Sequence, residues 1–399
     1  MNMILLLIVP VYLFLNYYVI RRIFHWLHLC SPHLKNRWFT AIFITLYALA
    51  ASSLLFAFLL PSSGFQAAIR RFSNYWLGTF LYILLAILTA DLVRLLLKYA
   101  FHIPEKFFRS AAALTLAGIL AACLVLGGSF RGAYNAHRIH TTDYEVDVAK
   151  SCAGRETLTI VLLSDLHLGY SITSADVARM TEKINEQNPD LVCIAGDIFD
   201  NEYDALDDPD RICELLSSIR SAYGTYACWG NHDISEKLLG GFSLGTAEDS
   251  RDPRMEELLT RAGIHLLADE AVLIDNAFYV AGRLDRQKPL TEDKTRLSPE
   301  ELLKDLDPSK PMIVLDHQPK ELQELADAGA DLALGGHTHN GQLFPGNLAI
   351  RLFWENPYGH LQKDQMHSIV TSGTGVWGPA MRIGTKSEIC RITVNFKNS

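Results

Sequence analysis

Five short apolar runs beyond residue 157 of this chain each end in a cluster of aspartate, asparagine or histidine. Leu158–Leu163 runs into Ser164-Asp165-Leu166-His167, and Leu191–Ala195 into Gly196-Asp197-Ile198-Phe199-Asp200. Thr225–Trp229 ends in Gly230-Asn231-His232-Asp233, Met312–Leu315 in Asp316-His317, and Leu332–Leu334 in Gly335-Gly336-His337-Thr338-His339. Any one block has an ordinary explanation, because Asp, Asn and Gly close turns and cap helices. Five blocks at the same kind of position call for a shared one: α/β folds usually bind ligands at the carboxyl ends of their strands.

The residue types suit a pair of divalent ions. Two ions roughly 3.5–4 Å apart need a carboxylate shared between them and neutral imidazoles around them. A shell of mixed nitrogen and oxygen favours manganese, iron or zinc over magnesium and calcium, which prefer oxygen alone. Such a pair lowers the pKa of a bound water and clamps phosphoryl oxygens during in-line displacement. Glycines beside the ligand candidates let the backbone come close to ions and phosphate.

These blocks need strands to carry them. The five runs, with Phe278–Ala281, read as buried strands bounded by Gly, Pro, Asp or Asn. Between them Ser174–Gln187, Asp210–Ala222, Pro253–Ala262, Pro299–Leu306 and Lys320–Ala328 show helical spacing with acidic or Pro starts. The alternation predicts an α/β domain over 158–399, its sheets covered by helices. A polar link over 129–157 precedes it.

Residues 1–128 are different in kind. Apolar stretches at Met3–Ile20, Trp38–Leu60, Tyr75–Leu97 and Ala111–Gly127 are each near the length that crosses a bilayer and show almost no polar face. They predict about four transmembrane helices, and the lipid bilayer as a partner. Asp91 and Arg94 lie toward the end of the third span, where pairing or snorkelling explains them without chemistry.

Charge follows the same division. Asp91 and Glu105 are the only acidic residues before Ser129, against ten basic ones, so the net −8 of the chain lies wholly beyond that point. An acidic soluble half disfavours a nucleic-acid partner, since it offers little to exchange for a polyanion's counterions. Arg21, Arg22, Lys35 and Arg37 fall in the first loop, and Lys98, Lys106 and Arg109 in the third. The positive-inside bias puts both loops in the cytoplasm and the catalytic half outside. Arg131 and Arg138 pull the other way. Seven cysteines, with Cys193 and Cys228 inside apolar strand-like runs, read as buried thiols rather than as a disulfide framework.

The order Asp-x-His, Gly-Asp-x-x-Asp, Gly-Asn-His-Asp, a lone His and Gly-His-x-His resembles the calcineurin-like metallophosphoesterase superfamily. The resemblance covers roughly 158–394 with all five blocks intact. The runs Leu315-Asp316-His317-Gln318-Pro319, Gly336 to Gln342, and Gly373-Thr374-Gly375 with Trp377-Gly378-Pro379 are similar to a membrane-associated branch of it. That branch commonly has Gly where this chain has Asn340. The resemblance implies two mixed β-sheets packed face to face between helices, and phosphoric ester hydrolysis, of a diester or a monoester. It implies Asp165, His167, Asp197 and His339 around one ion, and Asp197, Asn231, His317 and His337 around the other. His232 is then expected to protonate the leaving alkoxide, with Asp200 orienting its ring.

The remaining candidates have plainer readings. His137, His140, His265, His360 and His367 fit none of the blocks and read as surface or packing residues. Arg283 and Asp285 have two readings, reaching a substrate phosphate or forming an exposed salt bridge. Leu343–Trp354 carries Leu343, Phe344, Leu348, Ile350, Leu352, Phe353 and Trp354 directly after His339. It is expected either to rim the site and grip an acyl chain or to form another core strand. The first alternative suggests a lipid-linked or amphiphilic phosphoester. A catalytically silent metal-dependent receptor or scaffold is the competing function, and no ligand or acid lost from the motifs favours it. A transporter is disfavoured because the spans lack paired, broken, charged helices.

Overall fold

The computed structural model describes residues 3–61, 63–108, 110–234, 238–239, 242–243, 251–286 and 295–397. The chain forms two compact units: the first runs to Ala133 and also takes in residues 238–239, 242–243 and 378–380, and the second is made by the other described residues. Helices α1 (Met3–Cys30), α2 (Arg37–Leu59), α3 (Gly64–Tyr99), the short α4 (Glu105–Phe108) and most of α5 (Ala111–Ala136) make the first. Asn36 caps α2 by accepting from the Trp38 N–H, and Ser63 caps α3 by accepting from Gln66.

Among the described residues, α2, α3 and α5 are long and apolar enough to cross a membrane. They cover the last three predicted spans, while the first, Met3–Ile20, falls within α1. Asp91 on α3 finds its partners on α1: Tyr18 Oη donates to Asp91 Oδ2 at 2.8 Å, and Arg22 pairs with the same carboxylate. The half-buried carboxylate is thus satisfied by a neighbouring helix.

The region expected as a link, 129–157, is mostly regular structure. No proline interrupts the chain after Gly128, so α5 runs on to Ala136. Residues 139–148 then form β1 (Ile139–Val148), an edge strand with Val146 and Val148 buried and most of its polar side chains in or near solvent. Polar residues on alternate positions of an edge strand resemble a loop in composition.

The second unit holds two six-stranded mixed sheets. The first combines β1 with β2 (Thr157–Leu163), β3 (Leu191–Ala195), β4 (Thr225–Cys228), β7 (Ile264–Leu266) and β14 (Ser387–Phe396), in the order β1-β14-β2-β3-β4-β7. Strands β5 (Leu238–Leu239) and β6 (Phe242–Ser243) form a separate antiparallel pair. The second sheet has β8 (Glu270–Ile274), β9 (Phe278–Gly282), β10 (Met312–Leu315), β11 (Leu332–Gly335), β12 (Gly359–Lys363) and β13 (Met366–Val370), in the order β12-β13-β11-β10-β9-β8.

Alternate side chains from the two sheets meet in one core. Ile160, Leu162, Cys193 and Cys228 face Phe278, Val280, Ile313, Leu315 and Leu334 across it. Helices α6 (Ser174–Asn185), α7 (Pro209–Ser217) and α8 (Pro253–Arg261) accompany the first sheet. The second is covered by α9 (Pro299–Leu303) and α10 (Leu322–Asp327), whose Leu302, Leu303, Leu322 and Leu325 pack on Met312, Val314 and Ala333. All seven cysteines are free, and the five in this unit are buried. Strands β2, β3 and β4 run parallel, as do β10 and β11, so the metal-type residues leave the sandwich at shared strand ends.

Candidate metal centre

The loops that follow these strands are held in strained backbone. Asp165, His167, Asp197, His337 and His339 have φ of 53°, 48°, 50°, 69° and 49°. Left-handed conformations are uncommon for non-glycine residues, and their concentration in one place marks a functional constraint. Two glycines make room for the carboxylates. A Cβ at Gly230 would lie 2.2 Å from Asp197 Oδ1, and one at Gly336 2.2 Å from Asp165 Oδ2.

Two separate groups of candidate ligands result, Asp165 with His167 and His339, and Asp197 with His317 and His337, while a third, overlapping group joins His167 to Asp200 and His232. His317 Nδ1 donates to the Ala195 carbonyl at 2.8 Å, which leaves Nε2 facing Asp197 Oδ2 at 3.1 Å. His337 Nδ1 lies 3.3 Å from His317 Nε2, and His167 Nε2 3.1 Å from His339 Nε2. Ring nitrogens this close to one another and to carboxylates form a donor set for cations. Asp197 Oδ2 is 3.1 Å from His317 Nε2 and 3.8 Å from His167 Nε2, so one carboxylate reaches both groups. Asn231 Oδ1 is buried and takes part in no hydrogen bond, which fits a further oxygen ligand.

The electrostatics fit cations as well. Burial alone would raise Asp165 and Asp197, yet His339 holds Asp165 below the usual carboxylate range and His317 does the same for Asp197. Burial opposes charge on His317, but Asp197 and Asp165 together raise it well above its usual value. Two buried carboxylates thus draw positive charge to this point.

A family model described as calcineurin-like phosphoesterase matches residues 158–341. An uncharacterized metallophosphoesterase of Campylobacter jejuni is 31% identical over 70% of this chain and 68% of its own length. The chain belongs to the calcineurin-like metallophosphoesterases. A transmembrane protein with metallophosphoesterase domain from Danio rerio is 33% identical over 63% of this chain, which spans only about half (56%) of that protein's length. UDP-2,3-diacylglucosamine pyrophosphatase LpxG of Chlamydia trachomatis is 24% identical over 51% of this chain and 70% of its own length.

In this metallophosphoesterase His232 stands beside the ligand groups, its ring centroid 5.0 Å from that of His167, its backbone N–H donating to Asp197 Oδ1 at 2.8 Å. Its ring is hydrogen-bonded to Asn201, the neighbour of the expected Asp200. His232 Nδ1 meets Asn201 Oδ1 at 2.5 Å, and Asn201 is fixed by donating from Nδ2 to the Ile234 carbonyl at 3.1 Å. Asp200 turns instead toward His167, with Oδ1 3.5 Å from Nδ1. Asp200 and Asn201 are adjacent, and only the turn, with Asn201 at φ 64°, decides which side chain faces which ring. Burial lowers His232 to about 4 against the pull of Asp197. Asp233 is also fully buried and accepts from the Phe199 and Gly230 N–H groups at 2.8 and 2.7 Å, tying two ligand loops together. Burial and the Asp197 charge push it up to about 7.

Sequence reasoning also passed over Arg382. It is fully buried, donating to the carbonyls of Gly375 at 2.6 Å and Gly373 at 3.2 Å, with Nη2 3.3 Å from His339 Nδ1. Gly375 N–H in turn donates to the Asp165 carbonyl at 2.8 Å. Burial brings Arg382 down to about 10, so it stays charged beneath the centre. The residue lies three positions beyond Trp377-Gly378-Pro379, and an isolated arginine in sequence reads as surface.

Arg283 and Asp285 match neither expectation. Arg283 is buried and pairs with Asp316 at 2.8 Å and Glu321 at 2.9 Å, while Gln318 Nε2 donates to Asp285 at 2.9 Å. The charges flanking His317 are therefore taken up within a structural network. The apolar segment is not a core strand. It folds as α11 (Gly346–Ala349) and a single 3-10 turn at Ile350–Leu352, with Phe344, Leu348, Leu352 and Phe353 exposed. Of the other histidines, His137 pairs with Asp176 at 2.7 Å, His265 stacks on Tyr226, and His360 stacks on His367.

Proposed function

We propose that this chain is a membrane-anchored phosphoesterase that hydrolyses a phosphate ester at a two-ion centre. The observation that carries the reading is the convergence of two ligand groups on the single carboxylate of Asp197. Asp165, His167, Asp197 and His339 would hold one ion, and Asp197, Asn231, His317 and His337 the other. Manganese, iron or zinc suits these donors. When bound, the pair supplies an activated water and neutralises charge on the phosphoryl oxygens.

The protein's own residues do the rest. Ala195 fixes the tautomer of His317, and Asp200 Oδ1 lies 3.5 Å from Nδ1 of His167, where it favours positive charge on that ring. Asn201 holds Nδ1 of His232 so that Nε2 is the atom free to give a proton to the departing oxygen. The negative charge of an arriving phosphate favours the protonated ring.

The substrate class inferred is a lipid-linked or amphiphilic phosphoester. Its supports are the apolar helices, the exposed apolar segment after His339 and the name of the Chlamydia relative, a pyrophosphatase of a diacylated sugar nucleotide. Helix α1 is assigned as a fourth span, and the loop charges favour an extracytoplasmic catalytic unit.

The full chain in lipid nanodiscs, with manganese, tests this on an aryl phosphodiester and an aryl phosphomonoester beside Asp197→Asn and His232→Ala. Expected are two ions per wild-type chain, activity lost in both variants and ions lost mainly in the first. Two ions bound with neither ester turned over would favour the scaffold reading. Absence of bound metal would overturn the proposal. Equal turnover of short soluble and matched lipid diesters would remove the lipid part alone.

A further inference from the structure

The sheet-bearing unit leaves few large apolar side chains in water. Among its described residues these are Tyr134, Val272 and Leu273, and then four from one short segment: Phe344, Leu348, Leu352 and Phe353, exposed by 49, 58, 83 and 76%. A patch of this kind on an otherwise ordinary surface marks a binding site for something apolar.

Both ends of the segment are fastened to the ligand loop. At its start the chain leaves His339 through a 3-10 turn, His339–Gly341, so tight that a Cβ at Gly341 would lie 2.3 Å from the Gly346 carbonyl carbon. Phe344 N–H then donates to the Ile383 carbonyl at 2.8 Å. At its end the Trp354 ring sits edge-on to His337, centroids 5.0 Å apart, and Thr338 Oγ1 donates to the Pro357 carbonyl at 2.5 Å. Lys320 Nζ lies 4.6 Å above the Trp354 ring. The order outward from the ligands is thus histidine, then an aromatic ring under a cation, then an exposed apolar surface.

That order matches an amphiphile laid head-first on the centre. We infer that Phe344, Leu348, Leu352 and Phe353 form a platform for the hydrocarbon chain of the substrate, with Lys320 and Trp354 spanning the anionic or polar region between phosphate and tail. The inference rests on the amphiphilic reading above and adds to it the residues that select the tail. A phosphoester without a tail is held at the ions alone, whereas each methylene on the platform removes apolar surface from water and adds roughly fourfold in binding.

The test compares butyl, octyl and dodecyl esters of one aryl phosphodiester, below their aggregation limits, with the full chain in nanodiscs. The variants are Leu352→Ser/Phe353→Ser, Leu352→Met/Phe353→Leu and, away from the platform, Leu273→Ser. Metal content reports whether the centre is intact in each. Expected is a dodecyl-to-butyl ratio of kcat/KM that is large in wild type, falls at least about tenfold in the serine pair, recovers in the apolar pair and holds in Leu273→Ser. A long-chain preference that survives the serine pair overturns the platform while leaving the amphiphilic substrate standing, and assigns the patch to another occupant such as a second copy of the chain. A wild type that turns over all three esters equally overturns both.

Discussion

Two buried clusters of charge lie next to one another in this chain, joined at Asp316-His317, and they are built on opposite principles. Around Asp316 the acids are matched within the protein, Arg283 and Arg296 both reaching Asp316 and Glu321. Around His317 the acids Asp165 and Asp197 meet imidazoles, which are neutral by default. The first cluster balances its charges within the protein, although Asp316 Oδ1 and the Nε atoms of Arg283 and Arg296 take part in no hydrogen bond. The second sits on left-handed loops, and its carboxylates draw positive charge strongly enough to raise His317 well above its usual value. Buried charge by itself therefore says little about function; charge without an internal counterpart, on strained backbone, points to a bound cation.

The comparison can be broken first at Asp197. Replacing it by Asn should cost roughly a thousandfold in turnover together with bound metal, because both ions lose their shared oxygen. Metal analysis beside kinetics checks this, and retained ions would erase the distinction between the clusters. Arg283→Met should do the reverse. It should lower stability in chemical denaturation by about 3 kcal/mol, since the buried Asp316 loses a partner, while metal content stays at the wild-type level.

Within the cation-seeking cluster the roles should separate. His232→Ala should keep its ions and lose about a hundredfold in rate on an alkyl ester, and far less on a nitrophenyl ester, whose leaving group needs no proton. Asn201→Ala should show the same leaving-group pattern at about tenfold, while Asp200→Asn should not. Leaving-group series on the three variants decide which residue holds the acid.

The smallest effect sharpens the comparison from outside both clusters. Burial raises Asp176, but hydrogen bonds from His137 and Thr173 outweigh it and hold the carboxyl down to about 2. A depressed carboxyl contributes stability above its unfolded value of 3.8 and loses it as pH falls through about 2. The gap between wild type and Asp176→Asn in denaturant midpoints should thus be constant near neutrality and close between pH 4 and 2. A gap that persists in acid would mean that the capping of α6, and not the charge, is what Asp176 provides.

Much of the fold was legible because its signals are local. The six predicted strands, Leu158–Leu163 to Leu332–Leu334, are buried apolar runs ended by turn residues, and the structure has a strand at each. Strands β1 and β12 escaped because edge strands alternate polar residues, and β7 because three residues give no period. Strands β8, β13 and β14 were not predicted either, the last two because buried polar residues such as His367, Ser368 and Glu388 interrupt their apolar runs. The ligand candidates were legible from spacing, as five blocks at strand ends. Asn201 was not, because neighbours on a turn differ in direction rather than in chemistry. Arg382 was missed for a related reason: its buried partners are the carbonyls of Gly373 and Gly375, which carry no signature in sequence.

Hydrophobic period and turn chemistry act over a few residues, and they suffice for the apolar N-terminal helices, the α/β alternation and the residue types at the strand ends. Only the tertiary structure decided which of those residues share a centre, which charges cancel inside the protein, and that Leu343–Trp354 lies on the surface instead of in the core. Those outcomes depend on residues far apart in the chain, as in the 3.1 Å approach of His167 to His339 across 172 positions. Burial and pairing are properties of the folded neighbourhood, and no local window contains it.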